Sequence, residues 1–401
     1  MPALSPARLC AFNAGIQVVW GGILAVSLQA RSIALGGHGG VGTYAGIAAG
    51  GAFVAAVVQL VAGPLSDRAR ERSGSRQRFY ALGVACAVPA LAWFYLAPDV
   101  VQLAAAFVAL EVALNVAGGP YQAVIPDHVP PARRGGASSW MAAYQSIGNA
   151  AGLLAAGFIH DLRFVALALA APLAGTYGVT ALHVRALDAR ETPVNGTAPR
   201  TAPTLASPGA RSALAALLVS RGLVNLGFFT LLGFLLFFVR DALGVRGADV
   251  TTQTALLFLS FTLAAVAGAA LAAAPADRYD KRLVVTVAVG VIVAALAALA
   301  ASTSLASAYA AATLAGIAWG AFVTADWALA SAVLPPGAMA TAMGVWNVAT
   351  ALPQVAAPLL AAPLVARISA AHAGAGPRGA VVLALVEFAA GAAAVWRLPR
   401  V

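Results

Sequence analysis

Apolar residues gather into twelve long runs divided by short polar stretches, at about 8–29, 41–64, 80–97, 100–124, 137–159, 163–184, 212–239, 251–274, 283–302, 304–332, 340–364 and 379–396. Each run approaches the roughly 20 residues that an α-helix needs to cross a bilayer. The pattern therefore predicts twelve transmembrane helices and an all-α integral membrane fold. Between the sixth and seventh runs the text changes: Arg185 to Arg211 is rich in Pro, Thr, Ala and Arg and has no helical period. That predicts a cytoplasmic linker over 185–211, joining a six-helix bundle at 1–184 to a second at 212–401. The first run is too long for the apolar core of a signal peptide and has Leu28 where a small residue is wanted; it also carries Asn13 and Gln17. It is read as a retained first helix.

Composition agrees with the pattern: 61% of residues are hydrophobic and only 9% charged, against about 25% charged in a soluble domain. So few polar groups do not cover a water-facing surface, and lipid is the implied solvent. The net charge of +10 sorts by loop. With both termini inside, seventeen Lys and Arg fall on the inner side: Arg8, five over 65–79, Arg133, Arg134, four in the linker, three over 278–282, Arg397 and Arg400. Six fall outside, at Arg31, Arg163, Arg240, Arg246, Arg367 and Arg378, and Arg221 alone lies within a span. This is the positive-inside bias, so the basic charge reports topology, and no nucleic-acid partner is expected. Cys10 and Cys86 both sit in apolar runs and are read as small packing residues, without a disulfide framework.

The two halves echo each other. Gly63-Pro-Leu-Ser-Asp-Arg precedes the third span and Pro275-Ala-Asp-Arg the ninth; Val129-Pro-Pro precedes the fifth and Leu334-Pro-Pro the eleventh. An internal repeat of this kind marks transporters built from two related bundles around a central site.

The segment GPLSDRARERSGSRQRF, residues 63–79, resembles the signature loop between spans two and three of the major facilitator superfamily. Its S-D-R-x-R-x-R form is similar to the branch of glycoside-pentoside-hexuronide and sucrose:proton symporters, although that branch's G-R-R-R-P continuation is here Gly74-Ser75-Arg76-Gln77-Arg78-Phe79. Ile125-Pro-Asp-His-Val-Pro-Pro-Ala-Arg-Arg-Gly, Asp326-Trp-Ala-Leu with Val333-Leu-Pro, and Gly344-Val-Trp-Asn with Leu352-Pro-Gln-Val-Ala-Ala-Pro carry the same resemblance in chain order. The resemblance implies an inner gate made by Gly63, Asp67, Arg68, Asp127, Asp277 and Arg278. It also implies a central cavity lined by spans one, four, seven and ten.

Those four spans carry polar and aromatic stripes at helical spacing: Asn13, Gln17 and Trp20; Glu111 and Asn115; Arg221 and Asn225; Trp319 and Asp326. Spans five and eleven add Tyr144, Gln145 and Asn149, then Asn347 and Gln354, while Trp327 and Trp346 offer further flat surfaces for a ligand. Charges inside spans are costly and mark functional candidates. Here they are Glu111, Arg221, Asp326 and Glu387. At 1.5 Å rise per residue, Arg221 lies about 15 Å and Asp326 about 12 Å from the inner ends of their spans, so the two can meet at mid-depth. A carboxyl group that alternates between a dry and a wet surrounding can load and release a proton, which makes Asp326 and Glu111 the proton-coupling candidates. Arg221 is then their charge partner or the receptor for a substrate anion. A buried ion pair that only fixes helix register is the structural alternative, and Glu387, on a span that the resemblance makes peripheral, is read as structural.

Gly42, Gly46 and Gly50 in span two and Gly148 and Gly152 in span five suit close helix packing. Pro89, Pro353 and Pro358 interrupt the hydrogen-bond ladder of their helices. The chain has one lysine, Lys281, and no phosphate-binding loop around it, no H-E-x-x-H and no G-x-S-x-G, and its five histidines have no ligand-like spacing. An enzyme, an ATP-driven pump and a metal site are not expected. The whole reading is a monomeric, multi-pass transporter of the cell membrane (the inner membrane in a Gram-negative cell). It uses no cofactor beyond a coupling proton, has the lipid bilayer and a small-molecule substrate as partners, and moves a sugar or sugar-like solute by symport. Proton-antiport export of drug-like compounds is the alternative, and a non-transporting membrane sensor ranks below both.

Overall fold

The computed structural model describes residues 5–37, 40–73, 75–130, 134–188, 208–333, 339–372 and 374–398. Among them the regular structure is entirely helical. Twelve long helices run in chain order: α1 Pro6–Leu35, α2 Val41–Ser73, α3 Gln77–Leu96, α4 Val100–Tyr121, α5 Arg134–Phe158, α6 Leu162–Asp188, α7 Pro208–Phe237, α8 Asp249–Arg278, α9 Lys281–Ala301, α10 Leu305–Val333, α11 Met339–Ala371 and α12 Gly376–Val395. A short helix, Val124–His128, lies between α4 and α5. Eleven of the twelve are long and apolar enough to cross a membrane. The exception is α5, where Ser138, Ser139, Gln145, Ser146 and Asn149 dilute the apolar run that the sequence pattern reads as a fifth span.

Local chemistry starts several of these helices. Ser5 accepts from the Arg8 amide with Pro6 beginning the first turn of α1. Asp99 caps α4 through the Gln102 amide at 2.9 Å, and Asp280 caps α9 through the Arg282 amide at 2.9 Å. Each cap supplies one of the acceptors that a helix N-terminus lacks.

The segment expected to be a loop over 65–79 is mostly helix. α2 continues through Pro64 to Ser73, and α3 begins at Gln77. Strong helix formers in Ala69-Arg-Glu-Arg carry the helix out of the apolar run. In the same way α8 extends through Pro275 to Arg278. Pro89, Pro353 and Pro358 sit inside continuous helices, where each lacks the N–H of its turn and so interrupts the ladder without ending the helix. α6 continues to Asp188 and α7 begins at Pro208; the rest of the expected linker lies outside the described residues.

The chain divides into two compact units, Met1–Ala198 and Pro199–Val401. In the first, α1 packs on α5 and α6, α4 on α2 and α3, and α3 on α6. In the second, α7 packs on α11 and α12, α10 on α8 and α9, and α9 on α12. Adding six to each helix number turns one set into the other, so the repeat glimpsed in two short motifs extends to the packing of every helix.

Glycines set the closest crossings. A Cβ on Gly148 or Gly152 of α5 would strike the α1 carbonyls of Ala14 or Val18. In the second unit, a Cβ on Gly316 or Gly320 of α10 would strike the α8 carbonyls of Phe261 or Ala265. Among the described residues Gly42, Gly46, Gly50 and Gly63 have nothing within 4 Å of a built Cβ, whereas Gly51, against Phe107, makes the close approach of α2 to α4. Cys10 is buried as expected, whereas Cys86 is exposed on α3. Cys86 is therefore not the small packing residue that its apolar run suggests.

Among the described residues two π-helical turns occur, Ile23–Ser27 within α1 and Phe238–Ala242 directly continuing α7, each toward the C-terminal end of the first long helix of its unit.

Candidate functional site

In the second unit, the Arg221 guanidinium on α7 donates to Asp326 Oδ2 on α10. The side chains of this ion pair are only 15% and 5% exposed. Asn225, one turn along α7, donates to the Arg221 carbonyl at 2.9 Å and to the Ala349 carbonyl of α11 at 3.4 Å. The pair thus sits where α7, α10 and α11 come together. Along α10 from Asp326, Trp319 stacks on Phe228 with ring centres 4.6 Å apart and 15° between planes. Phe261, Phe322 and Phe388 surround it, so one indole face is already covered.

In the first unit, Glu111 on α4 is 3% exposed. Asn115 donates through Nδ2 to Glu111 Oε2 at 3.0 Å and to the Glu111 carbonyl at 2.8 Å. Gln59 of α2 donates to Asn115 Oδ1 at 2.7 Å. Among the described residues no cation pairs with Glu111. One buried acid is neutralised by an arginine, the other only solvated by an amide chain.

A third cluster occupies the end of the first unit that the charge bias assigns to the cytoplasm. Arg76 donates to Asp67 Oδ1 at 2.6 Å, to Asp127 Oδ2 at 2.8 Å and to Ser66 Oγ at 2.7 Å, and Ser66 in turn donates to the Gly63 carbonyl at 2.8 Å. Arg70 pairs with Asp127 as well. Beside them, His128 Nε2 meets Asp188 Oδ1 at 2.9 Å and Nδ1 meets the Val124 carbonyl at 3.1 Å. Burial works against charge on His128, but the bonds to Asp188 and Val124 outweigh it and raise its pKa above the ordinary 6.5. The cluster ties α2, the start of α3, the short helix Val124–His128 and the end of α6 into one network.

The sequence matches the family described as Major Facilitator Superfamily over residues 11–358. The chain belongs to the Major Facilitator Superfamily. Solved structures agree in fold. A bacterial homologue of the human lysosomal transporter Spinster, inward-facing and unoccupied, aligns with TM-score 0.74 and 16% identity over 98% of this chain and 97% of that one. Its inward-facing, occupied form gives 0.73 and 15% over 98% and 95%. The nucleoside transporter NupG gives 0.72 and 11% over 99% and 100%. No curated protein matches the sequence.

Within this facilitator, other residues named from sequence fall as follows. Asn13 is buried and donates to the Met141 carbonyl of α5 at 2.9 Å. Gln17, Trp20, Tyr144, Asn149 and Gln354 are half-buried, Gln145 is exposed, and Tyr144 lies against Trp140 at 5.6 Å. Asp277, Trp327, Trp346 and Asn347 have side chains outside the described residues. Arg278 is exposed. Arg68, expected in the inner gate, is exposed and makes no ion pair among the described residues. Arg70 and Arg76 hold the acids instead; the sequence reading has both in the signature loop and the charge count but gives neither a gate role. The helical continuation of α2 is the reason: residues two apart on a helix point to opposite faces, so Arg70 turns toward Asp127 and Arg68 away. Gln59, the outer member of the amide chain, was also missed, because one polar residue in an apolar run gives no periodic signal.

The chemistry available differs between units. Opening the Arg221–Asp326 pair requires a proton on the acid or an anion for the guanidinium, since either charge left alone in the dry interior is strongly unfavourable. Glu111, bonded to neutral amides, accepts a proton without first losing a counter-ion.

Proposed function

We propose that this facilitator is a proton-coupled secondary transporter of the cell membrane, moving a small solute, a sugar or sugar-like compound, by alternating access. The observation that carries the reading is the pair of membrane-embedded acids in unlike states: Asp326 held by Arg221, and Glu111 with only Asn115 and Gln59 in its chain. Two acids of different readiness let one take the proton while the other reports substrate through its arginine. In this reading Glu111 is the loading site. Asp326 takes a proton, or Arg221 a substrate anion, when the ion pair opens. Cargo as a sugar rests on the S-D-R-x-R-x-R resemblance at Ser66–Arg72. Nucleosides, which carry a sugar, join the test because a nucleoside transporter shares the fold.

The test is proton movement into proteoliposomes holding a trapped pH dye. Mono- and disaccharides, sugar acids, nucleosides and cationic drugs are added outside in turn. A sugar or nucleoside that drives proton entry in the wild type, with entry lost in Glu111→Gln, is the expected result. Outward proton movement driven only by drug-like cations replaces symport with export. Solute flux that ignores the proton gradient removes coupling from the reading.

A further inference from the structure

The fourth intramembrane charge, Glu387, remains outside the networks described above. It lies midway along α12 and is 6% exposed. The polar side chain facing it is Thr230 of α7, itself fully buried. Glu387 Oε2 and Thr230 Oγ1 are both buried, and among the described residues neither has a polar partner other than the side chain opposite it. Their surroundings leave little room for relief. At the α7–α12 crossing, a Cβ on Gly227 would meet Phe388 and the Ala384 carbonyl, and one on Gly391 would meet Val224 and the Ser220 carbonyl.

Asp326 has its arginine and Glu111 its asparagine. Glu387 has only the threonine hydroxyl opposite it, and a carboxylate with so little support in an apolar helix contact is among the least favourable arrangements a protein can hold. The neutral acid changes the arithmetic: it gains one O–H donor, and a buried acceptor stands opposite in the threonine hydroxyl. A hard metal cation is a poor alternative occupant, since it takes about six oxygen ligands and the contact offers far fewer. A proton needs one donor position and one acceptor, which is what the two facing oxygens supply.

We infer that Glu387 and Thr230 form a proton-binding site within the α7–α12 contact, separate from both Glu111 and the Arg221–Asp326 pair. The bond formed is O–H on the Glu387 carboxyl, directed at Thr230 Oγ1, and the proton comes from and returns to water. Any use of that proton in a cycle rests on the transport reading; its presence does not. Because α7 carries both Thr230 and Arg221, a shift of this one helix changes the partners of Glu387 and of Asp326 together.

The experiment is infrared difference spectroscopy on the full-length protein in lipid, stepping the pH and following the carbonyl stretch of protonated carboxylic acids. Glu387→Gln is compared with Thr230→Val, which keeps the acid and alters only its partner. Labelling by dicyclohexylcarbodiimide, which attacks protonated carboxyls in apolar surroundings, is mapped by mass spectrometry alongside. The expected result is a neutral-pH band that disappears in Glu387→Gln and moves in Thr230→Val, with carbodiimide on Glu387 falling off as pH rises. The same band in wild type and Glu387→Gln, or a band unmoved in Thr230→Val, overturns the site. The transport reading fails separately, if no solute moves protons in liposomes whose protein still shows the band.

Discussion

Replacing Arg221 by Gln leaves the Asp326 carboxyl buried without its cation. Breaking a buried pair from one side costs about 3–5 kcal/mol, whereas removing both charges is often nearly neutral. Arg221→Gln is therefore expected to lower the thermal midpoint of the purified protein sharply, and Arg221→Gln with Asp326→Asn to recover most of the loss. A double variant as unstable as the single one would show that the pair is not what holds α7 to α10. His128 gives a prediction with a definite sign. Its folded pKa is raised, so its bond to Asp188 contributes fully below the unfolded value of about 6.5 and is lost as pH rises through the folded value. The difference in melting temperature between wild type and His128→Asn should be largest on the acid side of neutrality and shrink toward alkaline pH; a difference that grows with pH contradicts the assignment. At this scale the sequence was informative where one rule sufficed. A charge inside a span needs a partner, and depth along two helices brought Arg221 and Asp326 together before any coordinates. It was uninformative where the answer turned on helix phase, as with Arg68 against Arg70, because the phase depends on α2 continuing past Pro64.

Helix crossings are where backbone contact decides stability. Gly152→Leu in α5 and Gly320→Leu in α10 force side chains onto the carbonyls of Val18 and Ala265. Each is expected to abolish a monodisperse peak in size-exclusion chromatography, overpacking of this kind being far beyond what a core absorbs. Gly46→Leu, with open space around its built Cβ, should elute and melt like the wild type within its own unit's packing. Glycine spacing alone does not separate these cases, because Gly42, Gly46 and Gly50 make as regular a series as Gly148 and Gly152; which series meets a neighbour is a property of the fold. The number and order of helices, by contrast, was readable from apolar runs alone, since lipid allows little else. Only α5 has a weakened signal, its polar residues having diluted the run.

Across the whole chain, six helices and their packing are repeated in six more. The two motif pairs visible in the text, at 63–68 with 275–278 and at 129–131 with 334–336, are the part of that repeat kept in side chains. The rest survives only as which helix touches which, and a single sequence does not display that. Orientation rests on the charge bias, and it is open to test. In a background lacking Cys10 and Cys86, a cysteine at Ser75, between α2 and α3, should react with an impermeant maleimide only from the cytoplasmic side. One at Ser304, between α9 and α10, should react only from outside. The reverse pattern inverts the topology and with it the placing of the Arg76–Asp127 cluster.

The π-turns at Ile23–Ser27 and Phe238–Ala242 work like the slack link in a watch bracelet. Each takes up a residue more than an α-helical turn would hold, and the helix on the far side keeps its facing. Deleting Ala25 should close the bulge and leave Arg31 still capping the Ala97 carbonyl. Deleting Ile16, in regular helix, turns everything after it by about 100° and carries Arg31 away. Among the described residues these two turns are the places where the protein's leading helices can change length without changing direction.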